Sequence, residues 1–196
     1  YEVTVRGQES HTGATPMGLR KNALLGASRM IEAIHQVGMA HLPGVASVGL
    51  IENRPNSRNV VPGEVFFTVD LRHPDERVLD AMEAGYQAAL PKIAADLKLD
   101  LEEKCIWKSP AVKFAPELIR CVQQGADQAG FASREMASGA GHDAAYIARV
   151  APTTMIFVPC LGGISHNESE STTLEECGAG AQVLLNAVLA HDAGLA

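Results

Sequence analysis

The chain has 196 residues, 46% of them hydrophobic and 20% charged, which is material for one ordinary domain or two small ones and excludes wholesale disorder. The 16 Lys and Arg stand against 23 Asp and Glu, a formal charge of −7, which argues against nucleic acid or an anionic membrane as the main partner. Aromatic residues amount to 5%, too few for a base-stacking surface, and no run approaches the roughly 20 apolar residues that cross a bilayer.

Cys105, Cys121, Cys160 and Cys177 are scattered without a C-x-x-C pair. Neither a structural zinc site nor a disulfide framework is expected from them, and reduced thiols in a cytoplasmic protein are the default. The sequence opens at Tyr1 inside an alternating segment rather than with Met. It is therefore expected to continue a longer polypeptide, and the lack of a leader carries no information on location.

In chain order, Val3 and Val5 alternate with polar neighbours and predict a first strand. Residues 7–16, rich in Gly, Ser and Thr, read as a loop. Ala23, Ala27, Met30, Ile31 and Ile34 recur at helical spacing, predicting an amphipathic helix over 19–37 with Gly38 as its stop. A strand over 45–51 and a cleanly alternating one over 65–71 follow. Between them Pro55, Asn56, Asn59, Pro62 and Gly63 supply turn chemistry. Pro74, Asp75 and Glu76 open a second helix, with Val78, Met82, Ile93 and Leu97 as its buried stripe and Pro91 expected to kink or split it. Residues 99–107 alternate as a last strand. The order β-α-β-β-α-β over residues 1–111 predicts a ferredoxin-like antiparallel sheet with both helices on one face.

After Ser109-Pro110 the character changes. Helices are predicted over 117–129 and, briefly, 142–150, a buried-type strand over 153–158, and a closing helix over 174–189 with Leu174, Ala181, Leu185 and Val188 as its stripe. Residues 112–196 are few for a self-sufficient core and read as the C-terminal portion of a larger domain. The fold class expected for the whole is mixed α/β (α+β).

Four stretches place polar side chains among glycines, where backbone can approach a ligand closely. In Gly7–Pro16, His11 could donate to developing negative charge or act as a base; the alternative is a loop histidine without a task. In Asn59–Gly63, followed along the next strand by Asp70-Leu71-Arg72, Arg72 at a strand end could grip a carboxylate through its fork, with Asn59 adding a neutral donor and acceptor. The alternative, which the residues alone favour, is a surface pairing of Arg72 with Asp70, Asp75 or Glu76. Ser138–Asp143 precedes a helix whose first amides suit an anion, although Asp143 could simply answer the helix dipole. In Gly162–Glu170, His166 follows an apolar strand and could bind a metal, yet one histidine falls short of the roughly three protein ligands of a catalytic zinc. Cys160 near His166 leaves a nucleophile–base pair open, with a buried inert thiol as the commoner outcome.

Taken together, these stretches resemble the zinc-dependent amidohydrolases of the N-carbamoyl-L-amino-acid hydrolase, allantoate amidohydrolase and β-ureidopropionase group, within the aminoacylase–carboxypeptidase superfamily. The motifs that carry the resemblance are His-Thr-Gly-Ala-Thr-Pro-Met at 11–17, Asn-Val-Val-Pro-Gly at 59–63, Asp-Leu-Arg at 70–72, Ser-Gly-Ala-Gly-His-Asp-Ala at 138–144 and Gly-Ile-Ser-His-Asn at 163–167. They occur in family order across nearly the whole chain.

The resemblance implies that residues 1–111 are a lid and dimerisation domain and 112–196 the last portion of a catalytic domain carrying two divalent metal ions, zinc foremost, with manganese, cobalt or nickel as alternatives. It implies that His11 reaches a dimer partner's site and stabilises the tetrahedral intermediate, that Asn59 and Arg72 hold the substrate carboxylate, that Gly141 and His142 line the pocket, and that His166 is the last metal ligand. Glu170 would be the acid that follows the Ser-His-Asn segment. The implied reaction is hydrolysis of a carbamoyl or ureido C–N bond by a metal-bound hydroxide, on a small carboxylate-bearing amide. The remaining metal ligands and the catalytic Glu would precede Tyr1, so the isolated chain is expected to be inactive. Two other readings stand beside this one: an aminoacylase or dipeptidase, and a non-catalytic ferredoxin-like dimerisation module.

Overall fold

The computed structural model describes residues 1–194, a mixed α/β chain that divides into two compact units, Tyr1–Ala111 and Val112–Ala196. In the first unit, strand β1 (Glu2–Arg6) lies between β6 (Glu64–Thr68) and β8 (Asp100–Lys104), and β4 (Ile51–Arg54) completes the order β4-β6-β1-β8 with every pairing antiparallel. That is the neighbour order of a split β-α-β unit, in which each helical crossover skips one strand. The period of two in β1 explains its burial: Val3 and Val5 face Phe67 and Val65 across the ladder, and all four are fully buried,. Helices α1 (Ala23–Ala40) and α2 (Glu76–Asp96) supply the rest of that core, through Ala23, Ala27, Met30 and Ile34 from one and Tyr86, Leu90 and Ala94 from the other. Arg6 reaches the half-buried Glu64 at 3.0 Å and the exposed Glu102 at 2.8 Å, and Arg54 reaches the exposed Glu52 at 3.1 Å.

Several elements differ from the sequence expectation. Helix α1 begins at Ala23 because the Asn22 side chain accepts from the amides of Leu24 and Leu25, each at 3.1 Å, while Met17–Leu19 form a separate 3₁₀ turn,. Gly38 does not stop the helix. It is buried two residues before the helix end, and a Cβ there would sit 3.0 Å from the Ala46 Cβ, so the glycine lets strand β3 (Val45–Ser47) lie against the helix,. The two long strands of the hairpin each split. The segments Val45–Ser47 and Asp70–Arg72 (β7) form one two-stranded ladder, and β4 pairs with β6 in the main sheet. Residues 53–63 are not all turn either, since Val60–Val61 (β5) pairs with Ser10–His11 (β2). Helix α2 is not split at Pro91, whose ring lies on the exposed side next to the buried Leu90. The last strand stops at Lys104, leaving Trp107 69% exposed.

In the second unit, α3 (Pro116–Ala129) packs on α5 (Leu174–Asp192) around Cys121, Ala187 and Ala190. At Gly125 the two helices lie close together. A Cβ there would lie 2.9 Å from the Val183 carbonyl oxygen, and Asn186 Nδ2 donates to the Gly125 carbonyl at 3.0 Å. The expected stripe on α5 is the wrong one: Val183, Ala187 and Ala190 are buried, while Leu174, Ala181, Leu185 and Val188 are exposed. The helix is apolar on more than one side, so hydropathy alone did not select the face. Residues 153–158, half-buried except for the exposed Phe157, form no strand, because no ladder partner faces them among the described residues,. The expected helix over 142–150 shortens to α4 (Ala144–Ile147) followed by turns. No helix of the described residues is long and apolar enough to cross a membrane.

Candidate active site

His11 ends β2 and is exposed. Its Nδ1 accepts from the backbone N–H of Gly13 at 3.0 Å and of Ala14 at 3.2 Å. With Nδ1 occupied as an acceptor, the neutral ring carries its proton on Nε2 and presents an N–H donor to the outside. The turn that supplies those amides is closed by the Thr15 N–H donating to the His11 carbonyl at 3.1 Å. Ser10, on the other side of the strand, lines a cleft of about 350 Å3 with Gln8, Thr15, Leu19 and Lys21.

Asn59 lies beside this turn. Its carbonyl accepts from the Thr12 N–H at 3.0 Å, Val60 pairs with His11 in the ladder, and its Oδ1 accepts from the Ser57 hydroxyl at 3.0 Å. Arg72 lies elsewhere. The His11–Asn59 pair adjoins the sheet end where Arg6 faces Glu64 and the Gly7 N–H donates to the Gly63 carbonyl; Arg72 follows the opposite end, where Glu2 faces Thr68 and the Val69 N–H donates to the Tyr1 carbonyl. At about 3.3 Å per residue the strands from Glu64 to Arg72 span up to roughly 26 Å. Within one chain, then, His11 and Asn59 come together and Arg72 does not join them. The Arg72 guanidinium donates through Nε to Asp70 Oδ1 at 2.7 Å and through Nη2 to Asp70 Oδ2, the surface pairing that the residues alone favour. Hydrogen bonding from Arg72, opposed by partial burial, holds the Asp70 carboxyl below the usual Asp range, and Asp70 in turn raises Arg72,.

In the second unit, His142 Nδ1 accepts from the Ala144 N–H at 3.0 Å and so closes the turn that enters α4. A four-residue helix offers no dipole-backed anion site, which corrects the expectation for Ser138–Asp143,. A Cβ on Gly139 or Gly141 would meet nothing within 4 Å, so no packing inside this chain demands glycine there.

The loop carrying His166 is ordered by its own acids and amides. The His166 N–H donates to Glu170 Oε2 at 2.9 Å, the Glu170 N–H donates to the Asn167 carbonyl at 2.9 Å, and the Leu161 N–H donates to the Ser171 carbonyl at 2.8 Å. His166 itself has φ of 55°, a left-handed backbone that few non-glycine residues adopt and that such a network is needed to hold,. Cys160 Sγ donates to the Ile164 carbonyl at 3.1 Å, so the thiol closes the loop. Among the described residues no group of three His, Cys, Asp or Glu side chains could hold a metal ion. Among the described residues His166 therefore belongs to no such group and falls short of the roughly three protein ligands of a catalytic zinc,.

Comparison with known proteins assigns the lineage. The family model described as "Peptidase family M20/M25/M40" matches residues 14–190. The chain belongs to the M20/M25/M40 family. An N-carbamoyl-L-amino-acid amidohydrolase of Rhizobium meliloti is 47% identical over 189 residues, covering 96% of this chain and 45% of that protein. An allantoate amidohydrolase of Escherichia coli is 34% identical over 185 residues, covering 94% and 45%. Among solved structures, a hydantoinase/carbamoylase family amidase from Burkholderia multivorans superposes with a TM-score of 0.91 at 50% identity, over 96% of this chain and 46% of that one. The chain spans about half the length of the curated relatives it matches.

For this M20/M25/M40 chain, sequence reasoning singled out His11 and Asn59 but missed the groups that hold their surroundings. Arg20 donates to the backbone of the His11 turn, and Ser57 donates to Asn59. The available signal was the position of Arg20 just before the Asn22 helix cap, where a side chain can fold back over the preceding turn.

Proposed function

We propose that this chain is the lid and the C-terminal catalytic portion of a metal-dependent amidohydrolase that cleaves the carbamoyl or ureido C–N bond of an N-carbamoyl-amino acid or an allantoate-like substrate. What supports this most is the Rhizobium N-carbamoyl-L-amino-acid amidohydrolase, 47% identical across nearly the whole chain. The orientation of His11 agrees with it. An exposed Nε2–H, aimed by two backbone amides at Nδ1, is the kind of donor that stabilises an oxyanion. Arg72 takes the substrate carboxylate with Asn59, and Gly141 and His142 line the pocket.

His166 is the chain's ligand to a centre of two divalent ions, zinc foremost and manganese, cobalt or nickel as alternatives. The other ligands belong to the rest of the protein. The opposite placement of His11–Asn59 and Arg72 on one lid suits a homodimer, in which one lid brings the imidazole and amide and the other brings the guanidinium. Exposed Met39, Leu42, Val45, Leu50 and Ile51, at the end of α1 and along the β3–β4 region, offer an apolar surface for that association,.

Steady-state hydrolysis of N-carbamoyl-L-amino acids and allantoate by the whole protein tests the proposal. Turnover is expected, lost on chelation and restored by the added ion, with Arg72→Ala raising KM and lowering kcat/KM. The 196-residue chain alone is expected to show no turnover and not to retain two ions. Turnover by that chain, or a whole protein inert toward every carbamoyl and ureido substrate, would overturn it.

A further inference from the structure

We propose that Arg20 is a positioning residue that fixes the tautomer of the His11 imidazole through the Thr12–Gly13 peptide; its catalytic consequence rests on the reading of His11 given above. Arg20 Nη2 donates to the Thr12 carbonyl at 2.6 Å and to the Thr15 carbonyl at 2.8 Å, and its Nε donates to Thr15 again at 3.0 Å. Among the described residues no carboxylate pairs with it. A half-buried guanidinium whose hydrogen bonds all go to two carbonyls of one turn acts on the shape of that turn.

The link to the imidazole is covalent. The Thr12 carbonyl and the Gly13 N–H belong to one planar trans peptide and point in opposite directions. Fixing the carbonyl on Arg20 therefore fixes the Gly13 N–H on the other side, where it meets His11 Nδ1 at 3.0 Å. The cationic fork also polarises that peptide and strengthens its N–H as a donor. The Thr15 carbonyl is held by the same group, and Thr15 in turn donates to the His11 carbonyl. The turn is clamped at both ends, with its amides turned toward the ring and its carbonyls toward the arginine. Nδ1 stays an acceptor, and the proton stays on Nε2.

The test uses the 15N-labelled 196-residue chain in alkaline buffer, where imidazoles are neutral. Long-range 1H–15N correlation reads which His11 nitrogen bears the proton. The wild-type ring is expected as the Nε2–H form. Arg20→Gln is expected to lower the Nε2–H to Nδ1–H ratio several-fold and to quicken Gly13 amide exchange, with the β1–β6–β8 sheet resonances unmoved. A folded R20Q chain with the wild-type ring signature overturns the proposal, as does a wild-type ring protonated on Nδ1. If R20Q fails to fold, Arg20→Lys decides, since an ammonium keeps the charge and lacks the fork: an intermediate tautomer ratio supports the proposal and an unchanged one overturns it. In the whole enzyme R20Q is expected to lower kcat roughly ten- to hundred-fold with KM nearly constant. A shifted tautomer with undiminished kcat leaves Arg20's hold on the ring in place and removes His11 from the reaction, so the two failures are distinct.

Discussion

Asp70 and Arg72 stand two residues apart on one short strand, so their side chains leave the same face and meet,. A guanidinium has five N–H donors, and Asp70 engages the Nε and one Nη2 donor of Arg72, orienting the plane of the fork,. Because the folded carboxyl titrates below its ordinary value, the stabilisation from this pair is fully present above the ordinary Asp range and is lost as pH falls through the depressed folded value,. Raising Arg72 affects only strongly alkaline conditions. With the two side chains 47% and 49% exposed, solvent screens the pair and its share of total stability is small,. A side-chain carboxyl 13C titration is expected to place the Asp70 midpoint below that of an unfolded reference, and Arg72→Ala is expected to return it to the ordinary range. An Asp70 midpoint that R72A does not move would show that Arg72 is not what holds it.

At the level of elements, the entry to α5 is the best-defined boundary in the second unit. Thr173 Oγ1 accepts from the Glu176 N–H at 3.1 Å, and the Glu176 carboxylate accepts from the Thr173 N–H at 3.0 Å, a reciprocal capping box that also draws the Glu176 carboxyl below its usual range,. Thr173→Ala is expected to destabilise the unfolding transition that includes α3 and α5 by about 1 kcal/mol in denaturant titration; an unchanged midpoint would count against the cap. This start was legible as the onset of an apolar run, and so was the alternation of β1 and the order of the first unit. The face of α5 was not legible, since Leu185 and Val188 are as apolar as Val183 and Ala187, and only α3 decides which side is covered. Residues 153–158 carry a strand's composition without a strand's hydrogen bonds, because a ladder depends on a partner and composition does not supply one,. The splitting of the hairpin arms was hidden for a related reason: Val48–Leu50 and Val69 are as apolar as their neighbours, and the change of ladder is a matter of pairing.

For the whole molecule, the decisive fact is the length of the main sheet. It separates His11 and Asn59, near the Arg6–Glu64 end, from Arg72 beyond the Glu2–Thr68 end. Sequence reading located all three residues and grouped Asn59 with Arg72 by function. What it could not supply was the distance, because motifs in order along a chain say nothing about which end of a sheet each occupies. On the proposed reading, in which one substrate meets both the imidazole and the guanidinium, each site draws on two lids, and an isologous pair would place one residue set from each at each of two sites.

Mixing two impaired variants of the whole protein, His11→Ala and Arg72→Ala, at a substrate concentration where each has lost most of its activity, measures this directly. A heterodimer that joins the intact Arg72 of one lid to the intact His11 of the other holds one complete site. Random exchange is therefore expected to recover about a quarter of wild-type hydrolysis of an N-carbamoyl-L-amino acid. Mixtures that exchange subunits and stay as impaired as their parents would contradict the account.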